Sequence, residues 1–164
     1  MIQLVEGDIL LSKAQVIAHG VSINDAMDKG LALALHDHYP AMHKDFHHWC
    51  HQHHPKAGDA WLWSGVGGKH IINLITREGT DAHDHRHGKA SISNVNHALK
   101  ALVKIIDKEN FTSLALPRLA TDPASVRRRV EALERIMERL VVIPGTNRSV
   151  GLDVILDLVP FAGS

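Results

Sequence analysis

Cysteine is nearly absent. Cys50 is the only one among 164 residues, so no internal disulfide can form, and such usage fits a reducing compartment. Aromatic residues make up 4% of the chain, too few for a surface built to stack bases. Charge of one sign is lacking as well: Lys+Arg and Asp+Glu both total 18. The chain as a whole therefore has no electrostatic basis for gripping a polyanion, and no specific nucleic-acid surface is expected. No apolar run reaches the roughly 20 residues of a membrane helix, so no membrane span is expected. Met1 leads straight into Ile2-Gln3-Leu4-Val5-Glu6, without the basic and apolar regions of a secretory signal. The expectation is a cytoplasmic chain of one domain, or one domain plus an appendage. Its length suffices to bury about two-thirds of the unfolded surface.

Histidine is what the chain has in excess. All 14 copies fall between His19 and His97. The later residues carry arginines instead, Arg127-Arg128-Arg129, Arg135, Arg139 and Arg148 among them. That shift in composition indicates two different pieces meeting after about residue 110.

Local patterns alternate between strand and helix. Ile2 to Glu6 and Ala14 to Ala18 read as strands, with Gly7-Asp8 as a turn between them. His19 to Gly30 is polar and loop-like, and Leu31 to His38 is helical, ended by Tyr39-Pro40. Met42 to His53 is a second helix or a continuation past the proline. Ala60 to Ser64 and His70 to Thr76 are strands flanking a Gly65-Val66-Gly67-Gly68 turn. Trp61 and Trp63 are read as lying across that first strand, with at most one in the core. Arg77 to Lys89 is a polar loop. Ser91 opens a helix to about Lys108 with Val95, Leu99, Leu102, Val103 and Ile106 on one face. Thr112 to Leu116 is a strand ending at Pro117.

Beyond it, Asp122-Pro123 starts a helix to about Leu140, with an apolar stripe at Val126, Val130, Leu133 and Met137. This helix is expected to cover the sheet, and Gly151 to Val159 to add an edge strand or a helix. The alternation implies an α/β layered fold with a parallel or mixed sheet. Ligands in such sheets bind beyond the carboxyl ends of the strands, which directs attention to the His19–Gly30 loop and the segment after Leu116.

Five segments in order carry a family resemblance: Gly7-Asp8-Ile9-Leu10; Ala18-His19-Gly20-Val21-Ser22; Met27-Asp28-Lys29-Gly30-Leu31-Ala32-Leu33; Asn73-Leu74-Ile75-Thr76; and Leu114-Ala115-Leu116-Pro117-Arg118-Leu119-Ala120-Thr121. Over residues 1–121 the chain resembles the ADP-ribose-binding macrodomains. It is most similar to the branch holding the terminal ADP-ribose glycohydrolase and the bacterial DNA-ADP-ribose hydrolases. The resemblance implies a three-layer α/β/α fold with a mixed sheet. It also implies a pocket for ADP-ribose or an ADP-ribosylated macromolecule, the removal of ADP-ribose as an activity of the branch, and no cofactor. The ligand-binding residues it implies are Asp8, Ile9, Ser22, Lys29, Gly30, Leu31, Ala32 and Thr121. Asp8 would accept from an adenine amine that the Ile9 amide adjoins, or would simply cap a turn. Lys29-Gly30 at a helix mouth would offer amides and the positive dipole end to a diphosphate. His19 reads as a core histidine or a contact.

The sequence departs from the branch at three places. Asp28 stands where the branch usually carries glycine. Arg77 stands where the glycohydrolase relative has its nucleophilic lysine, and a guanidinium that stays protonated cannot attack as an amine; no catalytic residue is assigned. After Thr121 the second glycine loop is replaced by Asp122-Pro123-Ala124-Ser125-Val126, with Asp122 best read as a helix cap. Residues 123–164 resemble the start of an uncharacterised bacterial membrane-associated family. The carriers are Ile143-Pro144-Gly145-Thr146-Asn147-Arg148, Gly151-Leu152-Asp153 and Leu158-Val159-Pro160. The division expected is a macrodomain over 1–121 and a foreign segment over 122–164, as in a fusion.

Two rivals stand beside nucleotide binding: a fusion protein with a relic pocket, and a histidine-rich metal binder. His43, His47 and His51 repeat along one helix face, and His83, Asp84, His85 and His87 share a loop. Zinc accepts such ligands, but the reading favoured is a solvated helix and loop, with no metal site.

Overall fold

The computed structural model describes residues 2–79, 90–117, 119 and 153–157. Six strands form one sheet: β1 (Ile2–Val5), β2 (Val16–Ser22), β3 (Ala60–Ser64), β4 (His70–Arg77), β5 (Ser113–Pro117) and β6 (Asp153–Asp157). Three helices accompany them: α1 (Gly30–His38), α2 (Pro40–His53) and α3 (Ile92–Glu109). The strand order is β1-β6-β5-β2-β4-β3. Every pairing is parallel except that of β3 with β4, so the mixed α/β fold expected from the alternation is present.

Alternation along β4 assigns the layers. Ile72 and Leu74 point to α3, joining Val95, Leu99 and Leu102. Ile71 and Ile75 point the other way, joining Leu35 of α1 and Met42, Phe46 and Cys50 of α2. Residues two apart on a strand share a face. Both tryptophans of β3 accordingly pack toward α1 and α2, which corrects the expectation that at most one would do so. Trp49 of α2 stacks on Trp61 with ring centroids 5.7 Å apart, and Trp63 Nε1 donates to Asp45 at 2.9 Å.

The helix boundaries follow local chemistry. The Ser91 hydroxyl accepts the Asn94 amide at 3.0 Å at the start of α3, and Asn110 closes it in a left-handed conformation at φ 55°. Pro40 opens α2, where its missing N–H costs nothing, and separates that helix from α1.

Three expectations change. β2 extends to Ser22, so residues 19–22 are strand rather than loop, with His19, Val21 and Ser22 buried. Gly151–Val159 contains a strand, but β6 lies between β1 and β5 and is not at an edge. The turn at Asp8 tightens into a short 3₁₀ helix over Ile9–Leu11. The expected helix from Asp122 to Leu140, with Leu133, lies outside the described residues, as do Thr121 and the histidines at 83, 85 and 87.

Candidate functional site

The carboxyl ends of β2 and β4 and the amino end of α1 meet along one rim of the sheet. Two features of the chain bring them together. The β2–β4 register runs Val21 against Ile75 and then Ser22 against Arg77, skipping Thr76. This irregularity sets Arg77 beside the start of the loop that leads to α1, as bulges at strand ends often do. The second feature is Asp25. Its buried carboxylate accepts the Ser22 amide at 2.9 Å, the Ser22 hydroxyl at 3.0 Å and the Met27 amide at 2.9 Å. It also pairs with Arg77 Nη2 at 3.3 Å. Burial pushes the acid's pKa up, but those two amides, the hydroxyl and the guanidinium more than offset this, and the carboxyl stays below its ordinary value. The loop crosses left-handed space at Asn24 (φ 53°) and Met27 (φ 49°), a strain that the Asp25 bonds hold in place.

The loop delivers the chain to α1. Lys29 is the N-cap, extended and with no capping side-chain bond. The Leu33 amide is the first to reach back, to the Lys29 carbonyl at 3.2 Å. The amides of Gly30, Leu31 and Ala32 therefore precede the helical ladder and face outward at its positive end. Gly30 has φ +59°, and a Cβ placed on it would have no heavy atom within 4 Å. Glycine is needed there for the backbone angle, and the space in front of it is open.

The other expected residues fall as follows. Asp8 caps the 3₁₀ turn, its Oδ1 accepting the Leu10 amide at 2.9 Å. Ile9 is buried against Ala14, Ile17 and Ala115. Ser22 is buried, with its hydroxyl donated inward to Asp25. Asp28, Lys29 and Gly30 are exposed in a row. His19 is a core histidine: its Nε2 donates to Asn73 Oδ1 at 2.6 Å, and burial lowers its pKa to about 4.

Asp25 and its bond to Arg77 are not among the site residues expected from the sequence. The legible signal was the Ser22-x-x-Asp25 spacing at a strand exit, the same reach by which a short polar side chain captures backbone amides three residues away.

Among the described residues, no three His, Cys, Asp or Glu side chains are grouped to hold a metal ion. His43 instead stacks on His36, ring centroids 4.1 Å apart, and packs against His47 at 4.5 Å. Stacked rings keep their in-plane nitrogens from converging. Among the described residues, no helix is long and apolar enough to cross a membrane.

No protein-family profile matches the chain. Two curated relatives do, the DNA ADP-ribosyl glycohydrolases of Mycobacterium bovis (strain BCG) and Mycobacterium tuberculosis. Each is 26% identical over 122 residues, covering 73% of this chain and 33% of the relative. The chain thus spans about a third of the length of the curated relatives it matches. Among solved structures, the macrodomain of Mycobacterium tuberculosis DarG matches with a TM-score of 0.75 at 21% identity, over 97% of this chain and 99% of that one. The Thermus aquaticus DarG macrodomain matches with 0.74 at 21%, over 97% and 99%. Thermosipho africanus DarTG in complex with ADP-ribose matches with 0.66 at 20%, over 96% of this chain and 42% of that one. These likenesses establish the macrodomain fold.

Proposed function

We propose that this macrodomain fold binds ADP-ribose, free or carried on a macromolecule, with the diphosphate at the amino end of α1. The carrying observation is Gly30: its left-handed backbone turns the first amides of α1 outward, and nothing occupies the space before it. Lys29 adds a cation at the same mouth, and the loop from Ser22 is fixed by Asp25. Support from similarity comes from the neighbour solved with ADP-ribose. Asp8 and Ile9, on the turn after β1, would take the adenine, and Thr121 would close the other side of the pocket.

Release of ADP-ribose from a macromolecule is the activity printed for the curated relatives. For this chain, any such turnover does not use an amine nucleophile at the end of β4. Arg77 stands there, permanently protonated and paired with Asp25. Titration calorimetry with ADP-ribose tests the binding, and micromolar affinity is expected. Gly30→Glu places a carboxylate and a side chain in the open mouth and forces a strained backbone angle on a non-glycine residue, so it should abolish the heat of binding. Undiminished binding by that variant would put the phosphate site elsewhere. Hydrolysis that disappears in Arg77→Ala while binding persists would overturn the reading of Arg77.

A further inference from the structure

Three imidazoles lie in a row where α1 meets α2. His36 stacks on His43, planes 28° from parallel, and His43 meets His47 at 55°. At the end of the row, His47 Nε2 donates to the Asp25 carbonyl at 2.9 Å. The row is thereby joined to the residue whose carboxylate fixes Ser22, Met27 and Arg77. His43 Nε2 is shut from water and has no hydrogen-bond partner among the described residues. A ring in that position tolerates the neutral form but leaves an added N–H without an acceptor. The groups facing it are His36 from α1, His47 along α2 and Asp25 from the loop, with Arg77 of β4 behind the Asp25 carboxylate. Burial first, then His47 and His36, hold the His43 imidazole below its ordinary pKa, while the Asp25 carbonyl and charge pull the other way without cancelling this.

We propose that the His36–His43–His47 row is a proton-operated latch on the loop that carries the ligand-binding end of α1. Neutral, it holds α1, α2 and the Asp25 loop together; charged, it pushes them apart and weakens the grip on ADP-ribose. The latch rests on the pocket reading above only for that last effect. Its sign follows from the depressed base: the closed form is favoured above the ordinary histidine pKa and loses ground as pH falls below it. A proton taken up on His43 is pressed against the two neighbouring imidazoles, and the attraction of the Asp25 carboxylate, shared with Arg77, offsets this only in part.

The test compares wild-type protein with His43→Phe, which keeps a flat ring in the row but takes no proton. Both are followed between about pH 7.5 and 5.5, a range spanning ordinary histidine titration. The readouts are imidazole NMR and amide exchange corrected for its intrinsic pH dependence. Protection of residues 22–30 should fall on the order of tenfold in the wild type, about 1.4 kcal/mol of opening free energy, and stay level in His43→Phe. ADP-ribose affinity should follow the same pattern. His19 titrates in the same direction but is common to both proteins. A wild-type loop equally protected throughout, or a His43→Phe loop that opens as far as the wild type's, overturns the latch. Should His43→Phe fail to fold, His43→Gln, which likewise takes no proton, stands in with the same two outcomes. Because exchange needs no ligand, failure to bind ADP-ribose at every pH would refute the pocket while the latch is still decided.

Discussion

Asp25 is held by four donors from three directions, and removing such an acceptor strands every one of them. Asp25→Ala should therefore lower unfolding stability by about 3–5 kcal/mol, the range for breaking a buried charged pair. Asp25→Asn, which keeps one acceptor oxygen for Met27, should cost less. Denaturant melts measure both, and a loss under about 1 kcal/mol for the alanine variant would mean the loop holds itself. His19 makes a second residue-scale prediction. Its folded pKa, about 4, lies below the ordinary histidine value of 6.5, so the unfolded chain binds the extra proton first. The stability it contributes is complete above about pH 6.5. It drains as pH falls toward 4, by about 3 kcal/mol at about 1.4 per unit. Asp25, depressed below 3.8, adds a further loss only at more acid pH. An NMR midpoint near 6.5 for the His19 ring would contradict this.

Elements were more legible than the bonds between them. The apolar stripe of α3, with Ser91 before it and Asn110 after it, is written at helical spacing, and the helix expected from Ser91 to about Lys108 matches Ile92–Glu109 nearly to its ends. The α1 and α2 boundary follows from Pro40, and the β3–β4 hairpin from its glycines. The end of β2 was not legible because His19, Gly20 and Ser22 look like loop residues. They lie within the sheet because β4 runs alongside, with Asn73 Oδ1 accepting a hydrogen bond from His19 and Thr76 Oγ1 standing 3.0 Å from the Cβ position of Gly20. Lys29 and Gly30 were visible as a helix mouth, whereas the Asp25–Arg77 pair spans 52 positions and no local pattern announces it. Gly151 to Val159 reads equally as strand or helix, and neither the choice nor its place in the sheet was legible, since pairing order is set by the whole sheet. Gln3 of β1 and Ala115 of β5 both pair with Ile155. A proline there removes an amide from an interior strand and intrudes on its ladder. Ile155→Pro should thus cost about 3 kcal/mol or more, with β1 losing exchange protection alongside β6. A variant as stable as wild type, with β1 still protected, would place β6 at an edge after all.

At the scale of the molecule, the sheet has two layers of helix that answer different demands. α3 meets its face chiefly with hydrocarbon, Leu99, Leu102 and Ile106 on Ile72 and Leu74. The α1 and α2 face mixes core with polar wiring: His19 to Asn73, Asn73 Nδ2 to Met42 Sδ at 3.4 Å, and His47 to the Asp25 loop. The proposed pocket sits on the wired side, where small changes in charge can reach it. The strand order has a consequence in time. Among the described residues β1 pairs with β6 alone, so residues 2–5 have no strand neighbour until residues 153–157 have been made. The β2–β4–β5 body with α3 can assemble earlier, but the Gly7-Asp8-Ile9 turn that β1 leads into cannot be anchored from that side until residues 153–157 have emerged. Closing a loop that spans nearly the whole chain is entropically the most demanding step. Pulse-labelled exchange during refolding should show β2, β4 and α3 protected first and β1 together with β6 last. On this order the adenine end of the proposed pocket is completed after its phosphate end, so a nascent chain would hold half a binding site until residues 153–157 have emerged.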